Sequence, residues 1–261
     1  MQIYLTVVFG FLGAAIGSFI NVIVDRLPAD HSLNYPPSHC DRCQKRLAPV
    51  DLVPVLSYLA LRGRCRYCEA KIPLQVLFVE LGCGFWTAFM FWSKGETLNF
   101  AVISFYSYIF IVIGLIDLKH QLILNRIVYP SYIAALIIAP FFIKAGVAHT
   151  SVVDHGIVNA LIGAGAGFVF LLIPALVSRG GMAFGDVKMA ALIGLATGFG
   201  EVLVAILGGI ILGGLVAIFL LALRIKKRKE AIPFGPFLSI ATIVTLVWGT
   251  QILHWWLGLF S

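Results

Sequence analysis

The chain has 261 residues, of which 60% are hydrophobic and 12% charged, and its mean hydropathy is +0.98. That composition excludes an ordinary soluble domain and leaves an integral membrane protein, long enough for about eight spans of roughly 20 residues each. The net charge of +7 would suit a nucleic-acid binder, but the cations gather in short loops beside apolar runs, where they read as topology signals. No nucleic-acid-binding motif is present.

The first apolar run, Ile3 to Ile23, is too long for the core of a signal peptide and lacks a basic leader, so residues 1–27 read as a retained first span. It ends where charge returns at Asp25-Arg26 and Pro28 stops the helix. Residues 28–73 hold four of the five cysteines and a concentration of arginines and lysines, and they read as a small soluble domain inserted after one helix. Residues 74–261 then read as a transmembrane domain of about seven helices. The second span, from about Leu74 to Trp92, carries Glu80; the third runs from Asn99 to Leu118 and closes on Asp117. The fourth covers roughly Ile127 to Ile143, and a loop with Lys144, His149, Asp154 and His155 leads to the fifth, Gly156 to Val177. In the fifth, the run Gly163 to Gly167 would let a neighbouring helix come close. The sixth opens within GMAFGDVKM, Gly181 to Met189, and ends by Gly200; the seventh covers Val202 to Leu223. After the basic run Arg224 to Lys229, suited to anionic head groups, the eighth spans Pro233 to about Leu253.

Eight spans put alternate loops on opposite sides, and seventeen of the nineteen lysines and arginines then fall on one of them. By the positive-inside rule that side is cytoplasmic, and it holds the cysteine domain together with the span ends that carry Asp117 and Asp186.

Cys40-Asp41-Arg42-Cys43 and Cys65-Arg66-Tyr67-Cys68 are two CxxC knuckles. Such pairs suit a tetrahedral zinc ion held by four thiolates, with disulfides disfavoured in a reducing cytoplasm and iron–sulfur ligation unsupported by any other sign of electron transfer. A domain of this size buries little core, so a metal staple supplies folding energy. His31 and His39 read as solvated loop residues, and Cys83 as a packed apolar one.

Asp186 heads a segment otherwise fit only for lipid, and ionisable groups at membrane depth usually serve a function. Paired with Asp117 at matched depth, it forms a candidate aspartic dyad in which one carboxyl is a base toward water and the other an acid toward the scissile carbonyl. The titration belongs to the pair, so neither role is assigned. The plainer reading is that each aspartate terminates a helix. Gly185 beside Asp186 would let a substrate backbone approach. Glu80 lies near the same depth and reads as structural, either bonded to Asn21 or Lys188 or held in its neutral form.

These residues resemble a family. GSFINVIVDRLP, Gly17 to Pro28, PPSHCDRC, LVPVLSYLALRGRCRYC, and Val79-Glu80 are similar to the amino-terminal half of the type IV prepilin peptidases. IDLKHQLILN, Ile116 to Asn125, and MAFGDVKM are similar to that family's two aspartate motifs, with IPFGPF, Ile232 to Phe237, near the end. The resemblance implies a bacterial inner-membrane aspartic peptidase that removes the leaders of prepilins or pseudopilins at the cytoplasmic face. It puts catalysis on Asp117 and Asp186 and zinc on Cys40, Cys43, Cys65 and Cys68. Many members also methylate the new amino terminus with S-adenosylmethionine. Two positions depart from the family pattern: Ala183 stands where the second motif usually has glycine, and Leu124 where the first often has proline. Two other classes fit the composition. One is a proton- or cation-coupled transporter, which needs polar residues continuing to the far side; the other is a zinc-dependent structural protein, in which the aspartates are dispensable.

Overall fold

The computed structural model describes residues 1–141, 156–177, 183–225 and 232–258. The loop with Lys144, His149, Asp154 and His155, the Gly181-Met182 start of the sixth expected span, and Lys226 to Lys229 of the basic run lie outside these residues. The chain divides into two compact units, Met1–Glu96 and Thr97–Ser261.

In the first unit, α1 (Gln2–Arg26) and α3 (Leu74–Lys94) pack antiparallel, so that Phe9 stacks on Phe91 at 4.3 Å while Gly17 lies against Val79 and Glu80. Small residues at Gly13, Ala14 and Gly17 line the buried stripe of α1, the usual device for close helix approach in lipid. Between the two helices lie one-turn 3-10 segments at Leu27–Ala29 and Pro49–Leu52, the short α2 (Leu56–Ala60), and the cysteines. The Arg26 guanidinium donates to the carbonyls of Ser32, Leu33 and Pro36, which folds the chain back as soon as α1 ends. Sequence alone groups α3 with the later spans; the structure groups it with α1 and the cysteine segment.

The second unit contains α4 (Leu98–His120), α5 (Asn125–Ile138), α6 (Gly156–Val177), α7 (Phe184–Thr197), α8 (Glu201–Ala222) and α9 (Gly235–Leu257). Among the described residues, six helices are long and apolar enough to cross a membrane: α1, α3, α4, α6, α8 and α9. Of the remaining two expected spans, α5 is followed by the 3-10 turn Ala139–Phe141, which reaches the limit of the described residues. α7 has 14 residues, about 21 Å at 1.5 Å each, against a hydrocarbon core of about 30 Å.

The shortness of α7 follows from its place. Its neighbours are α5, α6, α8 and α9, and ten of its residues are buried. A helix clad in protein need not match the bilayer. The glycine run of α6 serves this packing as expected: an added Cβ at Gly163 would come within 2.5 Å of the Gly194 carbonyl oxygen, and Gly194 meets the Gly163 backbone in return. The two helices touch through their backbones, with α7 antiparallel to α6.

Candidate active site

α4 runs antiparallel to α9, which brings Asp117 in the last turn of one against Gly235 at the start of the other. The first N–H groups of a helix have no partner within it, and Phe234, which precedes α9, supplies no side-chain cap. Asp117 fills that need, its Oδ2 accepting the Gly235 N–H at 2.8 Å. This bond fixes one oxygen of the carboxyl and leaves the other for water or a proton. A Cβ on Gly235 would stand 2.7 Å from Oδ2, so the contact requires glycine.

Asp186 is in the first turn of α7, the third residue of the helix rather than one well inside a span. Its backbone N–H donates to the Ala183 carbonyl at 3.1 Å, and the positive end of the helix dipole favours a carboxylate there. Asp117 and Asp186 face one cavity of ≈ 570 Å³, lined also by Gln121, Ile123, Gly185 and Phe234. Both are buried, at 6% and 7% exposure. A group added at Gly185 would meet Ile123 at 3.0 Å, so that glycine serves helix-to-loop packing as well as lining the cavity.

Two residues beyond the cavity lining, Asn125 and Tyr132, carry little signal in the sequence. Asn125, the first residue of α5, accepts the Lys188 ammonium at 3.0 Å, and that cation also lies over the rings of Tyr129 and Phe184. The Tyr132 hydroxyl donates to the Lys188 carbonyl at 2.7 Å. Together these tie α5 to α7 and so set where Asp186 stands relative to the loop that follows Asp117. Lys188 therefore serves Asn125. Glu80 is in the first unit, where its Oε2 accepts the Val55 N–H at 2.7 Å, and Asn21 donates instead to the carbonyls of Gly17 and Val76.

The four cysteines converge. Their sulfurs lie within 4.8 Å of one another, close enough to hold a metal ion. The knuckles are near copies: Gln44 N–H donates to the Cys40 carbonyl and Glu69 N–H to the Cys65 carbonyl, and both donors stand at φ 56. Cys40 Sγ is 3.8 Å from Cys68 Sγ, which matches the edge of about 3.8 Å that tetrahedral bonds of about 2.3 Å require. The backbone N–H groups of Cys43 and Arg42 draw the Cys40 thiol down to about 7, while burial and the neighbouring sulfurs push Cys68 up to about 11, so the protons of the cluster are held jointly. His39 directs Nδ1 to the Pro37 carbonyl and stays out of the shell.

A family model described as the bacterial peptidase A24 N-terminal domain matches residues 11–94, and one described as the type IV leader peptidase family matches residues 104–218. Curated relatives agree along nearly the whole chain. A prepilin leader peptidase/N-methyltransferase of Pseudomonas putida is 31% identical, with 92% of this chain and 90% of the relative covered. The chain belongs to the type IV leader peptidase family. A relative of the same name from Pseudomonas aeruginosa is 31% identical, covering 94% of this chain and 91% of its own. One from Bacillus subtilis is 30% identical over 97% and 98%. No solved structure matches the chain.

For a type IV leader peptidase, the departure at Ala183 is conformationally harmless. It precedes α7 at φ −73 and ψ 138, extended backbone open to any residue. Leu124 likewise precedes α5 at φ −78, near the value that proline fixes. A transporter path of polar groups finds no support. The buried hydroxyls of Ser107, Thr197, Thr242 and Thr245 each donate to the carbonyl four residues back in their own helix.

Proposed function

We propose that this membrane peptidase removes the leader peptides of prepilins or pseudopilins, with Asp117 and Asp186 as the catalytic dyad. The observation that carries the proposal is the shared cavity of ≈ 570 Å³ into which both buried aspartates open. The ionised member takes a proton from a water that attacks the scissile carbonyl; the protonated member gives its proton to the carbonyl oxygen as that oxygen gains charge. Collapse of the tetrahedral species then returns a proton to the leaving amine. The Gly235 N–H bond keeps Asp117 in one orientation through this exchange.

Asp117→Asn tests this well, because an amide oxygen still accepts the Gly235 N–H. Expected for Asp117→Asn and Asp186→Asn is a folded, inserted protein that no longer trims a model prepilin, read by mass spectrometry. Full activity in either variant excludes the dyad.

The positive-inside distribution supports an inner-membrane orientation with the cysteines and the aspartates on the cytoplasmic side. The donor set and its spacing support zinc as the ion on Cys40, Cys43, Cys65 and Cys68. The relatives' names support a second activity, methylation of the new amino terminus. In the first unit a cavity of ≈ 290 Å³ is lined by Asp25, Asp41, Asp51 and Glu80 and by Arg42, Arg66 and Lys71, side chains of both signs that would face the sulfonium and the carboxylate of a donor such as S-adenosylmethionine. The donor would supply the methyl group. A mass gain of one methyl on the trimmed product, dependent on S-adenosylmethionine, tests this activity separately from cleavage.

A further inference from the structure

Asp117 lies in the last turn of α4, and the chain leaves that helix through Gln121, which stands at φ 55 and ψ 40 with its N–H donating to the Asp117 carbonyl at 2.8 Å. A left-handed position after a helix usually takes glycine and sometimes asparagine, because a longer side chain there crowds its own backbone. Glutamine therefore costs conformational free energy that glycine would not, and backbone held in such a region is often kept for a function. Neither burial nor a bond within the chain offsets that cost. The side chain is exposed, and its amide has no hydrogen-bond partner among the described residues.

Gln121 instead lines the cavity into which Asp117 and Asp186 open. Among the described lining residues it is the only one with an uncharged polar side chain, and Leu122, Ile123, Ile232, Pro233 and Phe234 make much of the wall apolar. A peptide that enters brings one N–H and one C=O with almost every residue, and each gives up water there. The dyad serves the attacking water and the scissile carbonyl, and Asp117 Oδ2 already accepts the Gly235 N–H. Main-chain groups on either side of the scissile bond need other partners, since a polar group left unpaired against an apolar wall is costly. A carboxamide suits them: its oxygen accepts and its nitrogen donates, the same two functions that a peptide group presents. Because the Gln121 N–H is tied to the Asp117 carbonyl, the base of this side chain keeps a fixed register with the dyad.

We propose that the Gln121 side chain binds the main chain of the substrate beside the scissile bond, an inference that rests on the dyad proposed above. Pairing with main chain reads no side chain, so one residue serves precursors of different sequence. The test is initial-rate cleavage of a model prepilin by the purified full chain, beside thermal unfolding of the same samples. Gln121→Gly removes the amide and relaxes the backbone; Gln121→Leu removes the amide and keeps a side chain of similar reach. Glycine should hold or raise the melting temperature, and in both variants KM should rise on the order of tenfold with kcat kept within about twofold. A purely conformational role predicts the reverse, with glycine as active as glutamine or more so. If glycine lowers the melting temperature, the leucine variant decides. Wild-type KM in Gln121→Leu, or a loss carried by kcat in place of KM, overturns the proposal. Failure of the dyad itself would show separately, as cleavage by Asp117→Asn.

Discussion

Gly235→Ala isolates the contact that orients one carboxyl of the proposed dyad. The new methyl would stand 2.7 Å from Asp117 Oδ2 and 3.0 Å from its Cβ and Cγ, where ordinary contact begins at 3.4 Å. Because Gly235 is fixed at the head of α9 and followed by Pro236, the side chain of Asp117 must retreat, by about 0.7 Å. A misplacement of about 1 Å in a catalytic group costs on the order of 100-fold, so a loss of roughly 10- to 100-fold in kcat is expected, or about 1.4 to 2.7 kcal/mol of barrier. KM should change little, since the substrate's remaining contacts are untouched. The assay is initial-rate cleavage of a purified model prepilin in detergent, beside thermal unfolding of the same sample. Gly165→Ala is the control: nothing lies within 4 Å of its added methyl, and it should keep full activity. Wild-type kcat in Gly235→Ala would refute the reasoning, because Asp117 would then work without its present geometry.

Other outcomes follow from the same contacts. Gly194→Ala drives a methyl into the Gly163 backbone and should lower the melting temperature of the protein, at a cost of about 1–3 kcal/mol, with activity falling in step rather than first. Val55 holds a β-branched side chain at φ 62, so Val55→Gly should leave stability unchanged or raise it by about 1 kcal/mol, whereas Glu80→Ala, which orphans the Val55 N–H, should cost about 1–3 kcal/mol; thermal unfolding checks both. A strong chelator should strip about one zinc per chain and unfold the knuckles. Because each ligand must be a thiolate, proton competition should release the metal as pH falls, and zinc retained unchanged at low pH would count against four-thiolate ligation.

Much of the molecule was legible before any coordinates. Alternation of apolar runs with basic loops marked the helical, membrane-spanning character of the chain, because lipid forbids unpaired backbone and forces long apolar stretches into helix. The CxxC pairs announced a metal cluster because four soft ligands in two tight turns have few other uses. The length of α7 was not legible. Hydropathy reports that a segment avoids water, and it cannot tell a helix that faces lipid from one that is clad by other helices. Asn125 and Tyr132 were silent for a related reason: one asparagine or tyrosine near a helix end is common, and only its distance to Lys188 gives it meaning.

The sequence by itself determined the class of molecule, the membrane habit, the metal-binding turns and the two acidic residues worth watching, since each depends on chemistry local to a few neighbouring residues. Only the tertiary structure decided that Asp117 caps α9, that α7 lies enclosed, that Glu80 holds Val55, and that both aspartates open into one cavity. Those facts join residues up to 118 positions apart, and no local pattern records a contact made by helices that meet only after the chain has folded.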